Sequence, residues 1–136
     1  MIRVLLVDDQ SSVRYGLRLR LQLEQDLAVV GEASSGAAAV TLVETLQPDV
    51  VLLDWVMPGL AGAALISRLR ATTSCAVVIL SLHDSAEAAE QALAAGADAF
   101  VAKLASDELL ITALHQATAT PVAVNDREER KENNAK

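Results

Sequence analysis

Five short apolar runs, separated by longer amphipathic stretches, constrain the fold of this chain more than any other feature. The runs are rich in Val, Leu and Ile, and they are Ile2–Val7, Leu27–Val30, Val50–Leu53, Ala76–Leu80 and Ala99–Ala102. Each is too short for a typical helix and is followed by a polar or Gly/Pro turn, as is typical of buried strands. Several are apolar throughout, which favours parallel strands that helices cover on both faces.

The stretches that follow these runs carry apolar residues at helical spacing. In the first stretch Val13, Leu17 and Leu21 lie behind Ser11 and Ser12, and we expect these serines to cap a helix. The other stripes are Val40/Val43/Leu46, Ile66/Leu69, Ala89/Leu93 and Leu110/Ala113/Leu114. Five β-then-α units in series predict an α/β domain, namely a doubly wound, five-stranded parallel sheet with five helices.

Composition excludes several classes of protein. The chain has 136 residues, enough for one domain with a core, and a formal net charge of −7. An acidic surface argues against direct binding of nucleic acid or an anionic membrane by this chain, and it is compatible with binding of a cation. The single cysteine, Cys75, cannot form an internal disulfide. No apolar run is long enough to span a membrane and no signal peptide is evident, so we expect a cytoplasmic protein.

Polar residues follow four of the predicted strands directly. Asp8 and Asp9 follow the first, Asp54 the third, Ser81 the fourth and Lys103 the fifth. In an open parallel sheet, ligands bind beyond the carboxyl ends of the strands. We therefore expect these side chains to meet at one edge of the sheet.

These residue types indicate phosphoryl chemistry. Clustered carboxylates select hard cations, and Mg²⁺ favours a few carboxylates together with water and phosphate. A carboxylate beside such a metal can attack phosphorus, while an ammonium and a hydroxyl hold the phosphoryl oxygens. Taken singly, Asp9 or Ser81 is more often a turn former or a helix cap.

The segments Asp8–Asp9, Asp54–Gly62, Ser81 and Phe100–Lys103 resemble the receiver domain of two-component response regulators, the CheY-like family. The resemblance extends over about residues 2–118 and implies strand order 2-1-3-4-5. The segments Val13–Arg18 and Val30–Ala33 resemble the branch in which the receiver precedes a LuxR-type helix-turn-helix output domain.

The resemblance also implies a role for each carboxylate. Asp54 is expected to be the phosphoacceptor, which takes the phosphoryl group from the phosphohistidine of a sensor histidine kinase. Asp9, Asp54 and the backbone carbonyl of Val56 are expected to ligate Mg²⁺, and Asp8 is expected to hold it through water.

Three other residues are expected to respond to the phosphoryl group. The resemblance implies that Lys103 pairs with its oxygens, that Ser81 moves to hydrogen-bond one of them, and that Phe100 turns inward when Ser81 moves. The surface formed by the fourth helix, the fifth strand and the fifth helix would then change its conformation. This change would control homodimer formation or binding of an output partner. Such a domain transfers phosphate only to itself and is not an enzyme.

Three alternatives remain at this point. A degenerate receiver would keep the fold as an interaction module without phosphorylation. A flavodoxin-like electron carrier would need a hydroxyl-rich phosphate loop after the first strand, where this chain has Asp8 and Asp9. A phosphatase of the haloacid-dehalogenase type would need an Asp-x-Asp motif there. The domain is expected to span residues 1–120, with 121–136 a disordered polar tail or truncated linker.

Overall fold

A five-stranded parallel sheet forms the centre of the protein in the computed structural model, which describes residues 1–82, 85–103 and 105–119. The elements within these residues are β1 (Ile2–Val7), α1 (Ser11–Leu21), β2 (Leu27–Ala33), α2 (Gly36–Leu46), β3 (Val50–Asp54), α3 (Gly62–Thr72), β4 (Ala76–Ser81), α4 (Ala86–Ala95), β5 (Ala99–Ala102) and α5 (107–119). The strand order is β2-β1-β3-β4-β5. The predicted architecture is confirmed, whereas the predicted tail at 121–136 lies outside the described residues.

The sheet separates two apolar layers because successive side chains of a strand point to opposite faces. On one face the strands pack against α2, α3 and α4, with Leu5, Val51 and Ile79 among the buried residues. On the other face they pack against α1 and α5, with Leu6 and Leu52 among the buried residues. Helices therefore cover both faces, as the unbroken apolar runs predicted.

The register of the strands fixes which residues reach the carboxyl edge together. Asp54 pairs with Leu80 at the end of β3, and Ser81 pairs with Ala102 at the end of β4. The backbone N–H of Lys103 donates to the carbonyl oxygen of Ser81 at 2.7 Å. The ends of β3, β4 and β5 are thus level, and the residues that follow them share one edge.

The start of α1 differs from the prediction that Ser11 and Ser12 cap it. The N-cap is Gln10, which makes no side-chain capping hydrogen bond, and Ser11 is already helical. The carboxylate of Asp8 accepts a hydrogen bond from the Gln10 N–H at 2.9 Å and closes the turn after β1. This turn starts the helix one residue earlier than the serine pair indicated.

The buried face of α4 also differs from the prediction. The expected stripe was Ala89 and Leu93, but Ala88 and Ala92 are the buried residues and Leu93 is 50% exposed. Ala92 lies in the same buried cluster as Ile66 of α3. Small side chains let two helices approach closely, so α4 packs through its alanines and leaves its largest apolar residue at the surface.

A close contact ties α2 to the loop behind β3. Gly36, the first residue of α2, is buried, and a Cβ atom built there would lie 2.0 Å from the carbonyl oxygen of Leu60. That separation is far below any ordinary carbon–oxygen contact. Only glycine fits between the helix and this loop.

Candidate functional site

Three carboxylates meet at the carboxyl edge of the sheet. Asp8 follows β1 and is 2% exposed, Asp54 ends β3 and is 8% exposed, and Asp9 is exposed. One carboxylate oxygen from each of the three lies within 4.8 Å of the others. The strand-end prediction for these residues is confirmed in its geometry.

Lys103 is the cation that the structure places among these carboxylates. Its Nζ donates to Oδ2 of Asp8 at 3.1 Å and lies 3.3 Å from Oδ1 of Asp54. Its side chain is 13% exposed, so the pairs are largely shielded from water. With every group ionised, three negative charges face one positive charge, and two negative charges remain uncompensated within this cluster.

This imbalance appears in the pKa of Asp54. Burial raises the pKa of the Asp54 carboxyl above its ordinary value, and the negative charge of Asp8 raises it further. The ammonium of Lys103 and the Val56 N–H, which lies 3.5 Å from Oδ1, act in the opposite direction but do not cancel the rise in pKa. The site is therefore short of positive charge.

The donor set fits a hard divalent cation. Carboxylate oxygens are the ligands that Mg²⁺ prefers, and the convergence of Asp8, Asp9 and Asp54 supplies three of them beside an exposed edge. Two uncompensated negative charges match the charge of such an ion. Val56 lies on the loop directly behind Asp54, with its side chain 54% exposed.

Ser81 and Phe100 flank the cluster on the next two strands. Ser81 ends β4 and is fully buried. Phe100 lies on β5 and is half-buried, and its ring meets that of Trp55 edge to face, with centroids 6.4 Å apart and planes at 74°. Trp55 directly follows Asp54, so this aromatic pair connects β5 to the carboxylate cluster.

Residues 4–115 match the family described as the response regulator receiver domain. The chain belongs to that family. The match covers most of the sequence and contains every element described above, except for the start of β1 and the end of α5. The resemblance drawn from the motifs is thereby confirmed.

Two curated proteins are similar to this chain over most of its length. It is 37% identical over 124 residues to the nitrate/nitrite response regulator NarL of Escherichia coli K12, covering 90% of this chain and 57% of that protein. It is 42% identical over 115 residues to the transcriptional regulatory protein UhpA of Salmonella typhimurium, covering 85% and 58%. The chain thus spans less than two thirds of the length of either relative.

A solved structure extends the likeness to the fold. The two-component response regulator of the LuxR family from Aurantimonas superposes with a TM-score of 0.83 at 30% identity, covering 94% of this chain and 96% of that one. The chain is therefore a receiver domain similar to those of the NarL and LuxR type. No helix in the described residues is long and apolar enough to span a membrane.

Sequence reasoning missed a polar connection behind the site of this receiver domain. The guanidinium of Arg14 on α1 donates to a carboxylate oxygen of Glu32 on β2 and to the backbone carbonyl of Asp8. The two segments that resemble the LuxR-type branch contain these residues, but they lie 18 positions apart. They meet because α1 packs against β2, which pairs with β1.

Proposed function

We propose that Asp54 accepts a phosphoryl group from the phosphohistidine of a sensor histidine kinase, in the presence of Mg²⁺. The observation that supports this most is the buried carboxylate of Asp54, which lies 3.3 Å from the Lys103 ammonium and within 4.8 Å of two further carboxylates. A structural carboxylate at a strand end needs one partner, and this cluster has more negative charge than the fold compensates.

The step is an exchange of one bond to phosphorus for another. An oxygen of the Asp54 carboxylate attacks the phosphorus, the P–N bond to the kinase histidine breaks, and the imidazole nitrogen keeps the electron pair and takes up a proton. The product is an acyl phosphate on Asp54. The transfer goes to the domain's own side chain, so we propose a signalling domain and not an enzyme acting on a substrate.

Asp8, Asp9, Asp54 and the carbonyl of Val56 are the groups that would hold Mg²⁺. The bound ion supplies positive charge against the carboxylates and the phosphoryl oxygens. Asp8 keeps its second hydrogen bond, from the Gln10 N–H, so its carboxylate stays oriented toward the cluster. The exposed Asp9 leaves one side of the cluster open to solvent and to a donor.

Lys103 stabilises the charge that develops on the phosphoryl group. Its ammonium already lies between the carboxylates of Asp8 and Asp54 and donates to the first of them. An ammonium on a flexible stem can shift from a carboxylate to a phosphoryl oxygen over a short distance. A donor placed before the reaction costs little reorganisation when charge moves onto those oxygens.

Ser81 and Phe100 would transmit a conformational change from the phosphoryl group to the surface formed by α4, β5 and α5. Ser81 ends the strand next to that of Asp54, and its hydroxyl would turn toward an added phosphoryl oxygen. Phe100 lies on the following strand and contacts Trp55, the neighbour of Asp54. A phosphoryl group adds a charge of about −2, which is enough to bias two packings of such a surface.

The relatives support a proposal for the wider role. They are response regulators, one of them named a transcriptional regulator, and both are longer than this chain. We propose that phosphorylation promotes a homodimer, and that contact with DNA belongs to an output domain and not to this acidic receiver. The cytoplasmic location stays a prediction.

Intact-mass spectrometry tests the phosphoacceptor. Incubation with Mg²⁺ and acetyl phosphate should add one phosphoryl group, and the addition should be lost in Asp54→Ala and after chelation of Mg²⁺. Asp107→Ala, which removes an exposed carboxylate on α5, is the matched control and should be modified like the wild type. No mass gain in the folded wild-type protein would instead support a degenerate receiver that works as an interaction module.

A further inference from the structure

The guanidinium of Arg14 bridges two elements at the rear of the carboxylate cluster. Its Nε donates to Oε1 of Glu32 at 2.8 Å, and its Nη1 donates to the backbone carbonyl of Asp8 at 2.6 Å. The Arg14 side chain is 16% exposed, so both contacts are largely protected from water. α1, β2 and the turn after β1 are therefore linked through one side chain.

The Glu32 carboxylate that binds Arg14 is itself held in place by a second arginine. Its other oxygen, Oε2, accepts a hydrogen bond from Arg18 Nε at 2.7 Å. The hydrogen bond from Arg18, together with that from Arg14, lowers the pKa of Glu32 despite its partial burial. The carboxylate thus stays ionised well below neutral pH and is held from both sides.

The carbonyl that Arg14 holds belongs to the peptide between Asp8 and Asp9. A peptide unit is planar, so a hydrogen bond to its oxygen also fixes the direction in which the chain enters Asp9. The Asp8 carboxylate has its own partners, namely Lys103 and the Gln10 N–H. In the described part of the chain the Asp9 carboxylate has no such partner, so its placement depends on the direction of its backbone.

We propose that Arg14 is a positioning residue for the metal site, which holds the Asp8–Asp9 peptide so that the Asp9 carboxylate points into the cluster. The inference rests on the proposed Mg²⁺ site. It assigns a task to Arg14 and Glu32, which lie in the segments Val13–Arg18 and Val30–Ala33 and take no part in the proposed phosphoryl transfer. Partners behind metal ligands commonly fix the ligands' orientation in this way.

Electrostatics alone predicts the opposite effect of removing Arg14. Deleting a positive charge near an anionic site makes that site more attractive to a cation. Loss of positioning instead weakens cation binding, because Asp9 is no longer held in place. The sign of the change in Mg²⁺ affinity therefore separates the two effects.

Arg18 supplies the matched control on the same helix. It contacts the same glutamate and carries the same charge, but its hydrogen bonds go to Glu32 and none is found to the Asp8 carbonyl within the described residues. Arg18→Ala should therefore leave Mg²⁺ affinity unchanged or slightly tighter. Arg14→Ala should weaken it by about 10-fold, as the loss of a partner behind a metal ligand does elsewhere.

The experiment is a Mg²⁺ titration of the full chain followed by the fluorescence of Trp55, the single tryptophan beside Asp54. A second readout is the Mg²⁺ concentration that gives half the maximal rate of modification by acetyl phosphate. For Arg14→Ala that concentration should rise by about 10-fold, while the rate at saturating Mg²⁺ stays close to wild type. A general loss of structure would lower the saturating rate as well.

Arg14→Lys is a second variant in case Arg14→Ala does not fold. It keeps the positive charge, but an ammonium lacks the planar guanidinium that binds Glu32 and the Asp8 carbonyl together. It should also weaken Mg²⁺ binding while its circular dichroism stays native. Wild-type affinity in both Arg14 variants, or an equal loss in Arg18→Ala, overturns the positioning role and leaves the metal site intact. A wild-type protein that gives no response to Mg²⁺ in either readout overturns the metal site and this inference together.

Discussion

At the amino-terminal edge of the sheet Asp98 lies near solvent and has defined partners, whereas at the carboxyl edge Asp8 and Asp54 are buried and share Lys103. Asp98 accepts hydrogen bonds from Arg70 at 2.6 Å and from the Val77 N–H at 2.8 Å. Its charge is compensated by a single guanidinium. The two edges belong to the same strands, yet only one of them concentrates charge in the interior.

This difference is what we expect between carboxylates that stabilise the fold and carboxylates that we propose to hold a ligand. Arg70 is hydrogen-bonded to the carbonyls of Cys75 and Gly96 as well as to Asp98, and so it joins α3 to the starts of β4 and β5. Lys103 joins the carboxylates of Asp8 and Asp54, which repel each other. In the first arrangement one cation faces one carboxylate, whereas in the second one cation is shared by two.

The largest effect is expected from removing the ammonium at the carboxyl edge. Lys103→Met keeps the apolar stem but removes the charge that we propose to face the phosphoryl oxygens, and it should slow modification by acetyl phosphate about 100-fold. The time course by intact mass, at saturating Mg²⁺, measures this. The titration with Trp55 fluorescence should show Mg²⁺ affinity no weaker than wild type, because the site becomes more negative. A rate within a few fold of wild type would contradict the role of Lys103.

The next effect is expected at the opposite edge and on stability alone. Arg70→Ala leaves the Cys75 and Gly96 carbonyls and the Asp98 carboxylate without their donor, and it should lower the free energy of unfolding by about 2 kcal/mol. Urea unfolding measures the change. Mg²⁺ affinity and the rate of phosphorylation below the transition should match wild type. A change in the Mg²⁺ affinity or in the rate of phosphorylation would show that the two edges are coupled. It would contradict the assignment of separate roles to them.

The smallest effect is expected from neutralising the buried acid itself. Asp54→Asn should raise the melting temperature of the Mg²⁺-free protein at pH 7 by about 3 °C, corresponding to ~1 kcal/mol for a domain of this size. The matched change at the other edge, Asp49→Asn, alters the acceptor of the Arg3 N–H at 2.7 Å and should not stabilise the protein.

The pH dependence gives the sign of this effect. Because the pKa of Asp54 is raised, the native state binds the proton more tightly than the unfolded state. The free energy of unfolding of the wild type therefore falls below that of Asp54→Asn as the pH rises. The fall begins at the ordinary carboxyl pKa and is complete above the raised pKa of Asp54. Below a pH of about 3 the difference should vanish. A melting-temperature difference that is constant with pH would contradict the assignment.

The meeting of Asp8, Asp54 and Lys103 could be predicted because topology alone decides it. Each follows an apolar run, and parallel strands deliver their carboxyl ends to one edge. Their burial and the 3.1 Å contact between Lys103 and Asp8 needed the structure, since several rotamers of a lysine fit the same backbone.

Other features depend on packing between distant segments, which a local pattern does not contain. The run at Leu27–Val30 was expected to end before Gly31, but β2 continues to Ala33, where Glu32 is held by α1. For α4 the predicted helix was correct, but the predicted buried face was wrong. The contact with α3 buries small side chains and leaves Leu93 exposed.

The contact between Gly36 and Leu60 leaves the loop that follows Asp54 little room to move. No clearance remains between the first residue of α2 and the carbonyl of Leu60, only six positions after Asp54. One added methyl group would have to push the loop, the helix or both out of place. A residue with no side chain thus limits how far this loop can move, although it carries no charged or hydroxyl group.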